Sequence, residues 1–431
     1  MIGLAKGQQK SEIVFAQVYY QNAWRIIDTK GDFLLSQKYG VGSYENLCFT
    51  DGLALSYDEG KFGFTDFEDN QVIPNKYDAA QCFQFGYASV AVKGKWGIIN
   101  REDKFIVQPD FDYAGNFGVE GLAGLIKNGK LGFANTSGQI VIPFNYYWVS
   151  SFLTYPKYPI FTNGLIAIID ANDSNNMRDG KVGFMNTSGE VVIEPQFDVF
   201  DGLPFFIDGK ATVYKDRNPI VIDTLGNEVL KPNYGSNGFL YFKDGFATLY
   251  DESGHQGIID EFGTVILEPK YNGVNPFSEG YSAVQISGDE NGVTSGFVNK
   301  EGQFVFDKEF GFIRDFHEGF AAVEVNNKWG YIDTTGAFII EPQFETANDF
   351  NDGLAIVAVR KGKSFKYGFI DKTGVFVLEP IYDEANEFQF GLAPVKIGRK
   401  FGYINLEGEV KIKPKFDNAL SFQKEQVGWR K

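Results

Sequence analysis

The feature that most constrains this chain is an aspartate or asparagine that returns eleven times, always with an aromatic residue eleven positions later. The column reads Asp28, Asp66, Asn100, Asn135, Asn186, Asp223, Asp260, Asn299, Asp333, Asp371 and Asn405. Its aromatic companions are Tyr39, Tyr77, Phe111, Tyr146, Phe197, Tyr234, Tyr271, Phe310, Phe344, Tyr382 and Phe416. Self-similarity at a fixed period marks small units that bury a core only by stacking on their neighbours. It replaces the expectation of about three domains that the length alone would raise.

One unit, "KWGYIDTTGAFIIEPQF" from Lys328 to Phe344, shows how the pattern folds. Apolar residues flank the Asp and the Gly three positions on. Asp or Asn favours the first position of a type I turn, because its side chain caps the local backbone. The fourth position needs a left-handed backbone, which Gly adopts freely, as at Gly336 and Gly374; Asp69 and Asp103 stand there in the two exceptions. The spacing therefore predicts two antiparallel strands joined by a short turn. A proline just before the aromatic ends the second strand, since it cannot donate to a ladder. The aromatic beyond it reads as a plug between units. A variable connection then leads to "F-x-x-G", at Phe49, Phe83, Phe277, Phe316, Phe350 and Phe388, whose glycine opens a third strand.

The unit is a three-stranded antiparallel meander of roughly 34 residues. Eleven of them make residues 1–431 a single all-β array, with an insertion at 147–180 and a short tail at 417–431. We expect an elongated or superhelical β-repeat solenoid. The alternative is a closed propeller-like toroid, although propeller blades usually have four strands and number about four to eight.

"KWGIIN" at Lys95, "KWGYID" at Lys328, "KYGFID" at Lys366 and "KFGYIN" at Lys400 resemble the WG (KWG) repeats of a mainly bacterial family. The second half of the unit, "EPQFETANDFNDGLAIV" from Glu341, is similar to that family as well. The resemblance implies an interaction module without shared catalytic residues.

Composition narrows the partners. A net charge of −16 repels nucleic acid and anionic lipid, both of which are bound by Lys and Arg. No apolar run reaches membrane-spanning length, and "MIGLAKGQQKSEIVF" lacks a leader's apolar stretch, so the expected address is cytoplasmic and the expected state monomeric. Cys48 and Cys82 are too few for a disulfide framework and are expected to be free, buried thiols. No metal or cofactor is expected. "KGKS" at Lys361 has Val357 where a phosphate loop needs its first glycine. "DANDSN" at Asp170 has Asn175 and Lys181 where a calcium loop needs Gly and Glu. His255 and His317 fall on turn positions and are expected to be surface residues, so no enzyme is expected.

Two sets of residues are candidates for binding. The residue before the "F-x-x-G" glycine is acidic at Asp51, Glu120, Asp208, Asp244, Glu279, Glu318 and Asp352, which stacking would align into a stripe for a basic partner. The insertion carries Trp148, Phe152, Tyr155, Tyr158 and Phe161, read as exposed aromatics able to anchor a protein or a sugar ring. A recurring lysine (Lys61, Lys95, Lys130, Lys181, Lys328, Lys366, Lys400) is read as a solvated turn residue that defends a strand edge. The expected function is a non-catalytic repeat scaffold for protein–protein interaction; the alternative is a carbohydrate or cell-envelope binding module.

Overall fold

The computed structural model describes residues 11–34, 49–66, 70–148, 159–171, 179–199, 203–231, 240–289, 292–306 and 309–427. Strands and turns account for its regular structure, and no α-helix occurs among the described residues. The chain divides into two compact units. Unit 1 holds residues 1–161, 187–190 and 388–431; unit 2 holds residues 162–186 and 191–387.

Within unit 1, the repeat around Trp96 shows the plan. Tyr87–Val92 and Lys95–Asn100 form a tight antiparallel hairpin, from Tyr87 opposite Asn100 to Val92 opposite Lys95. Phe105–Phe111 pairs on the far side of Lys95–Asn100. A fourth strand, Ala79–Ala80, pairs on the near side of Tyr87–Val92. The meander expected from the sequence thus gains a strand only two residues long, too short for any periodicity to reveal. Equivalents recur at Thr346–Ala347 in unit 2 and at Glu384–Ala385 and Asn418–Ala419.

The turn chemistry follows the sequence. In unit 2 the Asp333 Oδ1 accepts hydrogen bonds from the amides of Thr335 (2.8 Å) and Ala337 (3.1 Å), while Gly336 N donates to Asp333 O. Gly336 has φ +79°, and Asp103 in unit 1 has φ +61° at the same position. The glycine after the tryptophan has a different reason. A Cβ at Gly330 would lie 2.5 Å from the Ile340 carbonyl oxygen and 2.7 Å from the Pro342 nitrogen. At Gly97 it would meet Val107 O at 2.5 Å and Pro109 N at 2.8 Å. Both strand pairs shift register here, so the WG glycine and the proline of the outer strand are two halves of one bulge.

Eight described plug aromatics are buried, Tyr77, Phe111 and Phe416 in unit 1 and Phe197, Tyr271, Phe310, Phe344 and Tyr382 in unit 2, while Tyr146 is half-buried. Each core cluster mixes two repeats. Tyr331, Ile340, Phe344 and Phe350 pack with Ala355, Val357 and Ile370, and the Tyr331 hydroxyl donates to Asn348 O at 2.7 Å. Turn glycines also abut a neighbouring repeat: a Cβ at Gly374 would lie 3.2 Å from Ile340 Cγ1, and one at Gly336 would lie 2.4 Å from Phe306 Cδ1.

The two ends of the chain meet within unit 1. Ser11–Tyr20 pairs with Ala23–Asp28 on one edge; on the other it pairs with Asn418–Ala419 and Gln423–Val427. Tyr20 and Phe33 each approach Phe416 edge-on, at 5.9 and 6.3 Å between ring centroids. The expectation of free thiols is overturned for Cys82, which is disulfide-bonded; the chain's other cysteine, Cys48, lies outside the described residues.

Candidate functional site

The acidic column sits in a strained turn. In unit 2, His317 and Phe320 exchange both backbone hydrogen bonds, leaving Glu318 (φ +52°) and Gly319 (φ +85°) as a two-residue hairpin loop. A left-handed backbone at both positions is the type I′ geometry, which suits the twist of a hairpin. Asp51, Asp208, Asp244, Glu279 and Asp352 share the left-handed conformation. Glu120 does not; it lies in a longer loop in which Gly121 N donates to Gly118 O.

Three members of the column reach across to the next repeat. The Glu279 carboxylate accepts from Gly319 N at 2.9 Å, and the Glu318 carboxylate from Gly353 N at 3.0 Å. In unit 1 the Asp51 carboxylate accepts from Gly86 N at 2.6 Å. Lys372 adds a 3.1 Å ion pair to Glu318. Burial pulls the Glu318 carboxyl upward, but Lys372 and the Gly353 amide outweigh it and hold it below the usual range. For these residues the stripe is a row of inter-repeat stitches. Asp208, Asp244 and Glu120 are exposed and make no side-chain hydrogen bond or ion pair among the described residues; the Asp352 carboxylate is likewise exposed and unpaired there, while its backbone amide faces the Glu318 carboxylate.

The lysine column is a second repeated device, and its partner was missed in the sequence. Lys95 pairs with Asp112 at 2.6 Å, Lys181 with Asp198 at 2.6 Å, Lys328 with Glu345 at 2.9 Å and Lys366 with Asp383 at 2.6 Å. Lys61 and Lys400 pair likewise with Asp78 and Asp417. Each acid directly follows a plug aromatic, seventeen residues after its lysine, so fixed spacing was the available signal. Asp112 also accepts from Asn128 N at 2.6 Å, tying the tight turn to the short strand. Its carboxyl is held low first by Lys95 and then by that amide. Exposed pairs of this kind are screened by solvent and add little to stability.

Of the aromatics expected to be exposed in the insertion, the two described ones are not open surface residues. Trp148 is only 5% exposed, with its amide donating to Gly129 O at 3.3 Å. Phe161 is half-buried, its ring centroid 4.8 Å from that of Phe133. It is the opening aromatic of "FTNG", an "F-x-x-G" turn that the insertion separates from its repeat. Both residues are therefore structural. Phe152, Tyr155 and Tyr158 lie outside the described residues.

His255 is exposed beside Asp251, Nδ1 to Oδ2 2.8 Å. His317 Nε2 stands 3.8 Å from Asp349 Oδ2. Burial raises the Asp349 carboxyl, with Arg314 and His317 opposing, and its Oδ1 is buried with no hydrogen-bond partner. Among the described residues no three potential metal ligands come together.

Another departure from the consensus was not singled out in the sequence. Two positions after the Asp/Asn, the other repeats carry Lys30, Glu68, Glu102, Ser137, Ser188, Glu301, Thr335, Thr373 and Glu407. Two successive repeats carry Leu225 and Phe262 instead, 72% and 82% exposed at the turn tips.

Comparison with known proteins bears on the repeat. The family model described as "WG containing repeat" matches nine segments: 62–96, 96–130, 132–167, 183–218, 257–288, 296–329, 329–363, 367–401 and 401–429. No curated protein sequence matches the chain. Among solved structures, similarity is found to a eukaryotic initiation factor (11% identity, 85% of this chain and 95% of that chain, TM-score 0.42). BamB from Moraxella catarrhalis is also similar (15% identity, 67% and 96%, TM-score 0.32), as is AztD from Citrobacter koseri (12%, 98% and 100%, TM-score 0.27). At these scores the likenesses carry no argument.

Proposed function

This chain belongs to the WG containing repeat family, and from that premise we propose that it is a non-catalytic scaffold for protein–protein interaction. The observation that carries the reading is how the recurring side chains are used. The Asp/Asn column holds its own turn, six of the seven column lysines pair with the acid beyond the plug aromatic while Lys130 lies over the Tyr147 ring, and Asp51, Glu279 and Glu318 bond to the next repeat. The consensus is consumed by folding. Specificity is left to the positions where copies differ, on turns that a rigid framework holds in place.

The fate of the insertion aromatics weakens the carbohydrate alternative. Trp148 is packed inward, and Phe161 is half-buried with its ring against Phe133. The disulfide at Cys82 supports an oxidising compartment over the cytoplasmic address expected from the chain's first residues. The test is affinity capture by the purified chain from its source cell, run beside a glycan array. Reproducible capture of a protein with a silent array is the expected result. A glycan signal without a protein partner would overturn the proposal.

A further inference from the structure

We propose that Leu225 and Phe262, with the carboxylates of Asp208 and Asp244, form the docking surface for a basic segment of a partner protein that carries apolar side chains between its lysines or arginines. The inference rests on the protein-interaction reading above and assigns it a place and a chemistry.

All four residues belong to unit 2, and the strand register brings them to one end of two successive sheets. Lys210 stands opposite Asp223, so the turn holding Asp208 lies beside the turn holding Leu225. Phe246 stands opposite Asp260, so the turn holding Asp244 lies beside the turn holding Phe262. The two repeats touch at this end: Lys210 Nζ pairs with Glu261 at 2.5 Å, and a Cβ at Gly263 would lie 2.4 Å from Leu230 Cδ1.

Neither pair of side chains has a structural use. Leu225 and Phe262 stand at positions that Ser137 and Ser188 fill elsewhere, and they lose rather than gain burial by being apolar. The two stand on turns of repeats that touch at this end, and large apolar side chains so exposed beside one another's repeats and rimmed by polar residues are the kind of surface that partners bind. Asp208 and Asp244 hold the strained left-handed turn that Glu279 and Glu318 also hold, but without the bond to the next repeat. With Lys210 and Glu261 neutralising each other, the carboxylates of Asp208, Asp244, Asp223 and Asp260 at these turns stand against the ammoniums of Lys243 and of Lys300, whose Nζ lies 5.7 Å from the centroid of the Phe246 ring. Apolar tips within a negative field are complementary to a basic apolar segment.

Fluorescence anisotropy with three labelled peptides tests this: Lys-Lys-Leu-Phe-Lys-Lys, Glu-Glu-Leu-Phe-Glu-Glu and Lys-Lys-Ser-Ser-Lys-Lys. Two double variants use residues the other repeats tolerate. Leu225→Ser with Phe262→Ser copies Ser137 and Ser188, and Asp208→Asn with Asp244→Asn copies Asn163, which holds the same left-handed turn (φ +48°). The wild type is expected to bind the first peptide at least ten-fold more tightly than the other two, and each double variant to lose at least ten-fold of that affinity while keeping the wild-type melting temperature. Absence of binding, equal binding of the acidic or serine peptide, or affinity unchanged in either variant overturns the proposal. Peptide binding that persists in both variants overturns this surface while leaving the scaffold reading standing. Sedimentation velocity completes the test: a dimer that the Leu225→Ser, Phe262→Ser variant dissociates would make the occupant a second copy of this chain, again overturning it.

Discussion

The turns at Glu279 and Glu318 and those at Asp208 and Asp244 are the same element of the repeat, in the same unit, with the same backbone. In the first pair the carboxylate crosses to the next glycine amide, at 2.9 and 3.0 Å. In the second pair it does not, and the neighbouring turn tips change from polar to apolar at Leu225 and Phe262. A glutamate carries one more methylene than an aspartate, and among the acidic residues of unit 2 the two that reach are the glutamates; Asn163 at the same turn position accepts from Gly209 N at 3.4 Å. Asp51 in unit 1 reaches as well, so length alone does not decide the outcome. One sequence column therefore serves two ends, and its acidity says nothing by itself about which.

Substitutions sharpen the contrast. The largest effect is expected outside the column, at Gly330→Val, where the added Cβ meets backbone at 2.5 Å and neither side can yield. A loss of about 3 kcal/mol or more is expected in chemical denaturation. The repeat with Ile220 at this position shows the structural alternative, since its outer strand, Glu228–Leu230, is three residues long against seven in Phe338–Phe344. Gly336→Val should cost about 1–3 kcal/mol from the left-handed backbone alone, plus its collision with Phe306. Gly374→Val, whose Cβ would stand 3.2 Å from Ile340, should cost less than Gly336→Val. The reverse order in thermal melts would contradict the packing described here.

Within the column itself, Glu318→Ala should cost about 1 kcal/mol, because it removes a charged acceptor from Gly353 and an ion-pair partner from Lys372. Asp208→Asn and Asp244→Asn should each stay within about 0.5 kcal/mol, as expected of exposed positions without partners. Equal effects at Glu318 and Asp244 would erase the distinction between the two regions.

Acidity provides a gentler probe. The carboxyls of Asp112, Asp198, Glu318 and Glu345 are held below their ordinary range in the folded chain. Their contribution is complete above the unfolded values, near pH 4, and disappears as pH falls through the lower folded values. Asp349 has the opposite sign: burial raises its carboxyl, so the charged form works against folding at neutral pH. Asp349→Asn is expected to raise the melting temperature slightly at pH 7 and to leave it unchanged near pH 3.

What could be read from the sequence was what is local. The turn at Asp333–Gly336 and the plug at Phe344 lie within a dozen residues of each other, and propensity and spacing determine them; Pro342, expected to end the strand, instead sits inside Phe338–Phe344 at the bulge, where its missing donor is tolerated. The pairing of Glu318 with the Gly353 amide spans 35 residues and depends on how one repeat stacks on the next, which no local rule supplies. The same holds for the disulfide at Cys82. The lysine–acid pairs did leave a trace, a constant separation of seventeen, yet the acid's role was hidden because it sits beside the more conspicuous aromatic. Trp148 and Phe161 misled because an insertion reads as surface. Phe161 in fact continues the repeat through a glycine turn, "FTNG", that the extra residues displaced.

The central claim is that the acidic turn residue binds the following repeat in one region and is free in the other. Amide hydrogen exchange read at single glycines tests it most directly. In Glu318→Ala, exchange at Gly353 should accelerate while Gly336, held by the Asp333 carbonyl, stays protected; in Glu279→Ala the acceleration should move to Gly319; in Asp244→Asn, Gly280 should exchange as in the wild type. Unchanged exchange at Gly353 in Glu318→Ala, or an equal acceleration at Gly280 in Asp244→Asn, would contradict it.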